Sequence, residues 1–311
     1  MRKRNFKQYL SYVKQQKNSS ISDEILEKDY MISYFLSVWQ KQKEQGNLLS
    51  LNDLIFKGGT LLSRNYLNYP RISEDLDFTI NCSNKLRKIS SPTQREKEIK
   101  KHIISIIDDI KHISIHSDFH FQTKRTNKKF IQVRNSRAVY LIFLYYPSLI
   151  SKESIPLKIE INFLEHRFFG YAKDRINTII EPDLYLKSIG YDLKNANINT
   201  YALNEIILEK YRAVLTRNTL KKRDILDLYF IHNKCKNVFQ IDEQQLLQKI
   251  KSSYMISPIA QDNFKKNIMK MKNNQFGSSD DRINPLLLTP IDKDAFHLFQ
   301  KDLFKTITHI I

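Results

Sequence analysis

Only two cysteines occur in 311 residues, Cys82 and Cys235. They stand far apart and in no metal-ligand spacing, which excludes a disulfide framework or a cysteine zinc site and fits a reducing cytoplasm. No apolar run approaches the length of a membrane span. The basic N-terminus (Met1-Arg-Lys-Arg-Asn-Phe-Lys) lacks the apolar core of a signal peptide, so a soluble cytoplasmic protein is expected. Acidic residues are also few: 33 Asp and Glu face 51 Lys and Arg, for a formal net charge of +18. Such an excess favours polyanionic partners, nucleic acid first, although a lysine-rich codon usage yields the same number. Repeats and low-complexity tracts are missing. The length suits two domains.

Glycine is scarce too, with six in the chain, and two of them stand side by side at Gly58 and Gly59. An apolar run (Leu54, Ile55, Phe56) precedes the pair and an amphipathic run from Thr60 follows, the order of strand, tight turn and helix start. Glycines there let the backbone approach a ligand, and free N–H groups at a helix start favour an anion such as phosphate. Next comes Asp75-Leu-Asp-Phe-Thr-Ile80. Strand alternation turns Leu76, Phe78 and Ile80 to one face and Asp75 with Asp77 to the other. Two carboxylates one pleat apart suit a cation between them, and oxygen ligands suit magnesium. A glycine turn before a half-exposed strand with two solvated acids would read the same way.

The combined string Lys57-Gly58-Gly59-Thr60, then Arg71-x-Ser73-x-Asp75-x-Asp77, resembles the polymerase-β-like nucleotidyltransferase superfamily, and more narrowly the AbiEii/AbiGii-type toxin nucleotidyltransferases. The resemblance covers roughly residues 24–232 and is specific in its motif segments. It implies an α+β fold: a polymerase-β-like nucleotidyltransferase domain with a mixed β-sheet and flanking helices over residues 1–200, then a C-terminal helical bundle over 201–311. The N-terminal helices within 3–45 are free in this reading to pack on the helical domain. The implied reaction moves a nucleoside monophosphate from an NTP to an acceptor hydroxyl, with RNA or tRNA as acceptor and a cognate antitoxin as a further partner. Asp75 and Asp77 would hold two Mg2+ ions. Lys57, Gly58, Gly59, Thr60, Arg71 and Ser73 would meet the nucleotide. A catalytically silent nucleotide- or RNA-binding protein of the same fold is the alternative.

Along the chain, a basic helix is expected over 3–17 and a longer one from Ser22 to about Gln45, with Ile25, Leu26, Tyr30, Ile32, Phe35, Leu36 and Trp39 on its apolar face. Glu27-Lys28-Asp29 within it resembles a segment of the same family and reads physically as solvated charges or a salt bridge. Residues 81–93 read as polar loop, 94–112 as helix, and Phe119–Lys124, Phe130–Arg134 and Ala138–Tyr146 as short antiparallel strands. His112, His116 and His120 straddle a helix-to-strand change, which argues against a metal cluster. Pro156–Leu164 is the cleanest strand. Its Lys158, Glu160 and Asn162 share a face, and in the resembled site a third carboxylate arrives from such a strand, which makes Glu160 the candidate metal ligand and activator of the attacking hydroxyl.

From about Asn204 the chain reads as helical, with later helices near Glu243–Ser252, Pro258–Met271 and Asp292–Ile310 and a turn-rich stretch at Asn273–Asn284. Lys210 falls in the middle of the apolar stripe of Leu203, Ile206, Ile207, Ala213 and Val214, where it must snorkel or meet a buried anion. Glu209-Lys210-x-Arg212-Ala213 and Arg223-Asp224-x-x-Asp227 resemble the family's later motifs. By that match Lys210 contacts the nucleotide phosphates and Asp224 belongs to the catalytic site. An acid in a helix's first turn is also stabilised by the helix dipole alone. A lysine buried without a partner would make Lys210→Met neutral or slightly stabilising.

Overall fold

The computed structural model describes residues 3–310 apart from 125, 136, 236–241 and 274–285. The chain opens with two helices, α1 (Lys3–Lys17) and α2 (Asp23–Glu44). Phe6, Tyr9, Leu10 and Val13 form the buried stripe of α1. Ser22 caps α2 by accepting from the Ile25 N–H, with Asp23 and Glu24 in the first turn where the helix dipole favours acids. Strand β1 (Leu54–Lys57) leads into the short helix α3 (Gly58–Leu61), which continues through a wider helical turn at Leu62–Tyr66. After β2 (Asp75–Ile80) come α4 (Ser83–Arg87) and α5 (Pro92–Ile115). Ser91 caps α5, and Ile99, Ile103, Ile106, Ile107, Ile110 and Ile113 bury one of its faces. Strands β3 (Ile131–Arg134), β4 (Val139–Pro147), β5 (Ser154–Asn162) and β6 (Tyr171–Arg175), helix α6 (Leu184–Ser188) and strand β7 (Asn197–Tyr201) follow. Helices α7 (Leu203–Thr216), α8 (Lys222–Lys234), α9 (Glu243–Tyr254), α10 (Ala260–Lys272) and α11 (Lys293–Ile310) complete the chain.

The seven strands make one mixed sheet in the order β3-β4-β5-β2-β1-β7-β6. Two pairings are parallel, β2 with β5 and β1 with β7; the others are antiparallel. This is the α+β architecture of a mixed sheet with flanking helices followed by a helical C-terminal part. Helix α7 packs against α8, α9 and α10.

Several expectations change. Phe119–Lys124 is not a strand; only His120 makes a bridge, to Tyr145. The loop over 81–93 contains α4. Strand β6, at the edge of the sheet, and β7 beside it carry Lys173, Asp174, Arg175, Asn197 and Asn199, a polar content that hides them from a hydrophobicity reading. Helices α1 and α2 touch residues of the sheet half: Tyr9 stacks on Tyr191, Asn5 donates to the Ile189 carbonyl, and Lys43 donates to that of Asn197. Glu27, Lys28 and Asp29 are all engaged. Glu27 accepts from Ser148 and the Leu149 N–H, Lys28 pairs with Glu74, and buried Asp29 pairs with Arg64 at 2.7 Å. The turn-rich stretch expected at 273–284 lies, beyond its first residue, outside the described residues.

Candidate active site

Strand β1 delivers the chain to Gly58, whose φ of +78° lies in the left-handed region. A Cβ on Gly58 would fall 2.3 Å from Oδ2 of Asp77, so a side chain is excluded by space as well as by backbone conformation. On Gly59 a Cβ would lie 2.8 Å from Nη2 of Arg71 and 3.0 Å from Oγ of Ser73. The Thr60 hydroxyl donates to the Asp75 carbonyl, and the Ser63 hydroxyl to that of Arg71. Residues read as one motif thus pack as one unit, the glycines under the very side chains that follow them in the string. Thr60 corrects an expectation. It is buried, and its hydroxyl is directed to backbone instead of into the cleft.

The parallel register of β2 and β5 sets Asp75 opposite Lys158 and Asp77 opposite Glu160. Side chains directly across a sheet share a face, so three carboxylates and one ammonium stand together. Burial pushes the Asp77 carboxyl up to about 7, with repulsion from Glu160 and Asp75 adding to it while Lys57 and Lys158 oppose. The Lys158 ammonium lies 3.2 Å from Oδ2 of Asp75 and 3.6 Å from Oε2 of Glu160. Among the described residues no three His, Cys, Asp or Glu side chains converge on one point as metal ligands, the histidines of 112–120 included. The donor chemistry nonetheless fits a hard divalent ion. The site offers oxygen ligands, like charges are crowded around Asp77, and magnesium needs only one or two carboxylates when substrate phosphates supply the rest.

Opposite this face stands α7. Lys210 meets anions: its Nζ lies 2.6 Å from Oδ2 of Asp227 and 3.1 Å from Oδ1 of Asp224. Arg71 grips Asp227 through two bonds, Nε at 2.7 Å and Nη2 at 2.8 Å, and Arg217 pairs with Asp224. Burial alone would raise Asp224, but Lys210 and Arg217 outweigh it and hold the carboxyl at about 2. Asp227 is likewise low: Arg71 and Lys210 overcome its burial. Lys57 is buried between Glu165 at 3.0 Å and Glu209 at 3.2 Å, and those carboxylates keep its pKa raised against the effect of burial. Lys57, Arg71 and Lys210 are therefore all committed to carboxylates. The expectation for Lys210→Met reverses accordingly. Two buried acids would each lose a charged partner, and we expect a stability loss of roughly 1.5–3 kcal/mol, read from the urea midpoint.

Lys57, Gly58, Gly59, Asp77, Glu160, Lys210 and Asp224 line one cleft between β1, β2, β5 and α7, together with Glu209, Arg212 and Arg217. The last two are cations that sequence reasoning did not single out. Arg212 stood inside the quoted Glu209-Lys210-x-Arg212 string, and its Nε is buried without a hydrogen-bond partner. Arg217 closes α7 at its C-terminal end and carried no motif signal. A larger cavity of about 760 Å³ lies between α8 and α11, lined by Tyr229, His232, Phe299 and Leu303, and includes none of these groups.

The sequence matches the family described as "Nucleotidyl transferase AbiEii toxin, Type IV TA system" over residues 48–301. No curated protein matches it. Among solved structures, it is similar to the nucleotidyltransferase toxin MenT4 of Mycobacterium tuberculosis, with 17% identity, a TM-score of 0.47, and coverage of 96% of this chain and 89% of that one. JHP933 of Helicobacter pylori gives 17% identity and a TM-score of 0.47 over 93% of this chain and 94% of its own.

Proposed function

The chain belongs to the AbiEii family of nucleotidyl transferase toxins of type IV toxin–antitoxin systems, and from that premise we propose that it transfers a nucleoside monophosphate from an NTP to an RNA hydroxyl, tRNA included. The observation that carries this reading is the register of Asp77 against Glu160 with Gly58 closed over Asp77. The acceptor oxygen attacks the α-phosphorus, the bond from that phosphorus to the β-bridging oxygen breaks, and pyrophosphate leaves. Glu160 receives the hydroxyl proton. Asp75, Asp77 and Glu160 would hold divalent metal, magnesium by preference, which when bound offsets charge on the reacting phosphates.

The chain's own groups supply the rest. The Gly58–Gly59 turn offers backbone N–H groups to the triphosphate, since the first N–H groups of a helix have no partner within it. Arg212 and Arg217 add positive charge across the cleft, and Asp224, held by Lys210, orients Arg217. The enclosed volume is about 100 Å³. Sites that bury a whole ligand measure roughly 300–1,000 Å³, so this cleft suits the phosphates and leaves base and sugar at its mouth.

We divide the chain into a nucleotidyltransferase domain, 1–200, and a helical domain from 201, with Lys57–Glu209 and Arg71–Asp227 as buried ties between them. The net charge of +18 supports a nucleic acid acceptor. No described helix is long and apolar enough to cross a membrane, and the free Cys82 and Cys235 suit the cytoplasm. A cognate antitoxin follows from the family. The test is incubation with each α-labelled NTP, Mg2+ and total RNA. Label on an RNA species with matching pyrophosphate release is expected, and tight NTP binding without either product would instead mark a silent binding protein.

A further inference from the structure

The carboxylate face carries a cation of its own. Lys158 stands opposite Asp75 in the β2–β5 register, one pleat before Glu160, and its ammonium lies between Oδ2 of Asp75 and Oε2 of Glu160 at 3.2 and 3.6 Å. We infer that Lys158 is a resident cation of the site, standing where a second divalent ion would sit, so that this chain takes one divalent ion with its NTP. The inference rests on the nucleotidyltransferase reading and adds to it the ion count and the residue that sets it.

Three observations carry it. The first is space. A magnesium ion bridging Asp75 and Glu160 needs their oxygens at about 2.0–2.1 Å, and the ammonium occupies the gap those oxygens define. The second is charge. Asp75, Asp77 and Glu160 bring three negative charges, and Lys158 cancels one of them, which weakens the pull of this face on a second divalent ion. The third is convergence. The three carboxylates do not close on one point, as expected if two of them are turned to an ammonium. What remains, Asp77 with the free oxygens of Asp75 and Glu160 and the phosphates of the NTP, still supplies the one or two carboxylates that magnesium needs. Among the described residues, the other lysines at the cleft are engaged elsewhere: Lys57 is held by Glu165 and Glu209, and Lys210 by Asp224 and Asp227.

The test counts Mn2+ ions by isothermal titration and electron paramagnetic resonance in the presence of a non-hydrolysable NTP analogue, so that the readout is stoichiometry and not turnover. Wild type should bind one ion per chain. Lys158→Met should bind two, with the spin–spin broadening of a coupled pair, and Lys158→Arg, which keeps the charge, should stay at one. Two ions in wild type overturn the inference and leave the nucleotidyltransferase reading standing. One ion in both wild type and Lys158→Met also overturns it, because the lysine then sets nothing. Analogue bound by wild type with no Mn2+ at all overturns the metal reading and this inference together.

Discussion

Asp75→Asn and Asp77→Asn are each expected to lower NMP transfer by about 10²–10³-fold, the scale seen when one preorganised electrostatic partner of a transition state is lost. Neither should unfold the protein. Asp77 in particular is a cost to the metal-free fold: it is half-buried, next to Glu160 and Asp75, and its carboxyl is pushed up to about 7. The sign follows from linkage. A carboxyl whose folded pKa is raised stabilises the fold below its unfolded value near 4, and that contribution is lost as pH rises through about 7. Asparagine cannot ionise and escapes the loss. Asp77→Asn should therefore melt higher than wild type at pH 8 in the absence of metal, and the gap should close towards pH 4. Labelled-NTP transfer and thermal midpoints at several pH values measure both halves. Transfer near the wild-type rate in either variant would remove the carboxylates from the chemistry.

Lys249→Met should be the most destabilising single change in the cleft wall. Lys249 is fully buried and holds three glutamates: Glu205 at 2.6 Å, Glu165 at 3.2 Å and Glu209 at 3.5 Å, with the His166 carbonyl as a fourth acceptor. Burial alone would raise Glu165, but Lys57 and Lys249 hold it well below the carboxylate range. Removing Lys249 leaves Glu205 without its cation and Glu165 and Glu209 sharing Lys57. Losing one partner of a buried ionic cluster costs about 3–5 kcal/mol, a large part of the roughly 5–15 kcal/mol that holds a typical domain folded. Adding Glu205→Gln should recover part of it, since the amide oxygen can still accept from the Phe168 and Phe169 N–H groups while one buried charge is gone. Denaturant titration of the single and double variants gives the coupling. A Lys249→Met protein as stable as wild type would mean that water or a shared proton already compensates the glutamates.

Local pattern made much of the site legible. The period of two in Asp75–Ile80 and Pro156–Leu164 fixed which side chains share a face, and parallel pairing then set Glu160 beside Asp77. Helices α2, α5, α7 and α11 followed from apolar spacing, and Ser22 and Ser91 cap the first two. Two kinds of feature were hidden. Strands β6 and β7 are short and polar, and pairing of β7 with β1 and of β6 with β7 decides them more than composition does. The partners of Lys57, Arg71 and Lys210 were hidden because ion pairing across a fold depends on which elements meet. Arg71 and Asp227 are 156 residues apart, and Lys57 and Glu209 are 152. Lys210 shows both sides: its place in an apolar stripe required snorkelling or a buried anion, and only packing named Asp224 and Asp227.

The central claim is that an NTP lays its phosphates between the Gly58–Gly59 turn and the α7 cations, over Asp75 and Asp77. A crystal structure with Mg2+ and a non-hydrolysable NTP measures this most directly. Phosphate oxygens within hydrogen-bond distance of the Gly59 N–H and the Arg212 or Arg217 guanidinium, with metal on Asp77, are the predicted result. A nucleotide seated instead in the cavity between α8 and α11, with the carboxylate face untouched, would contradict it.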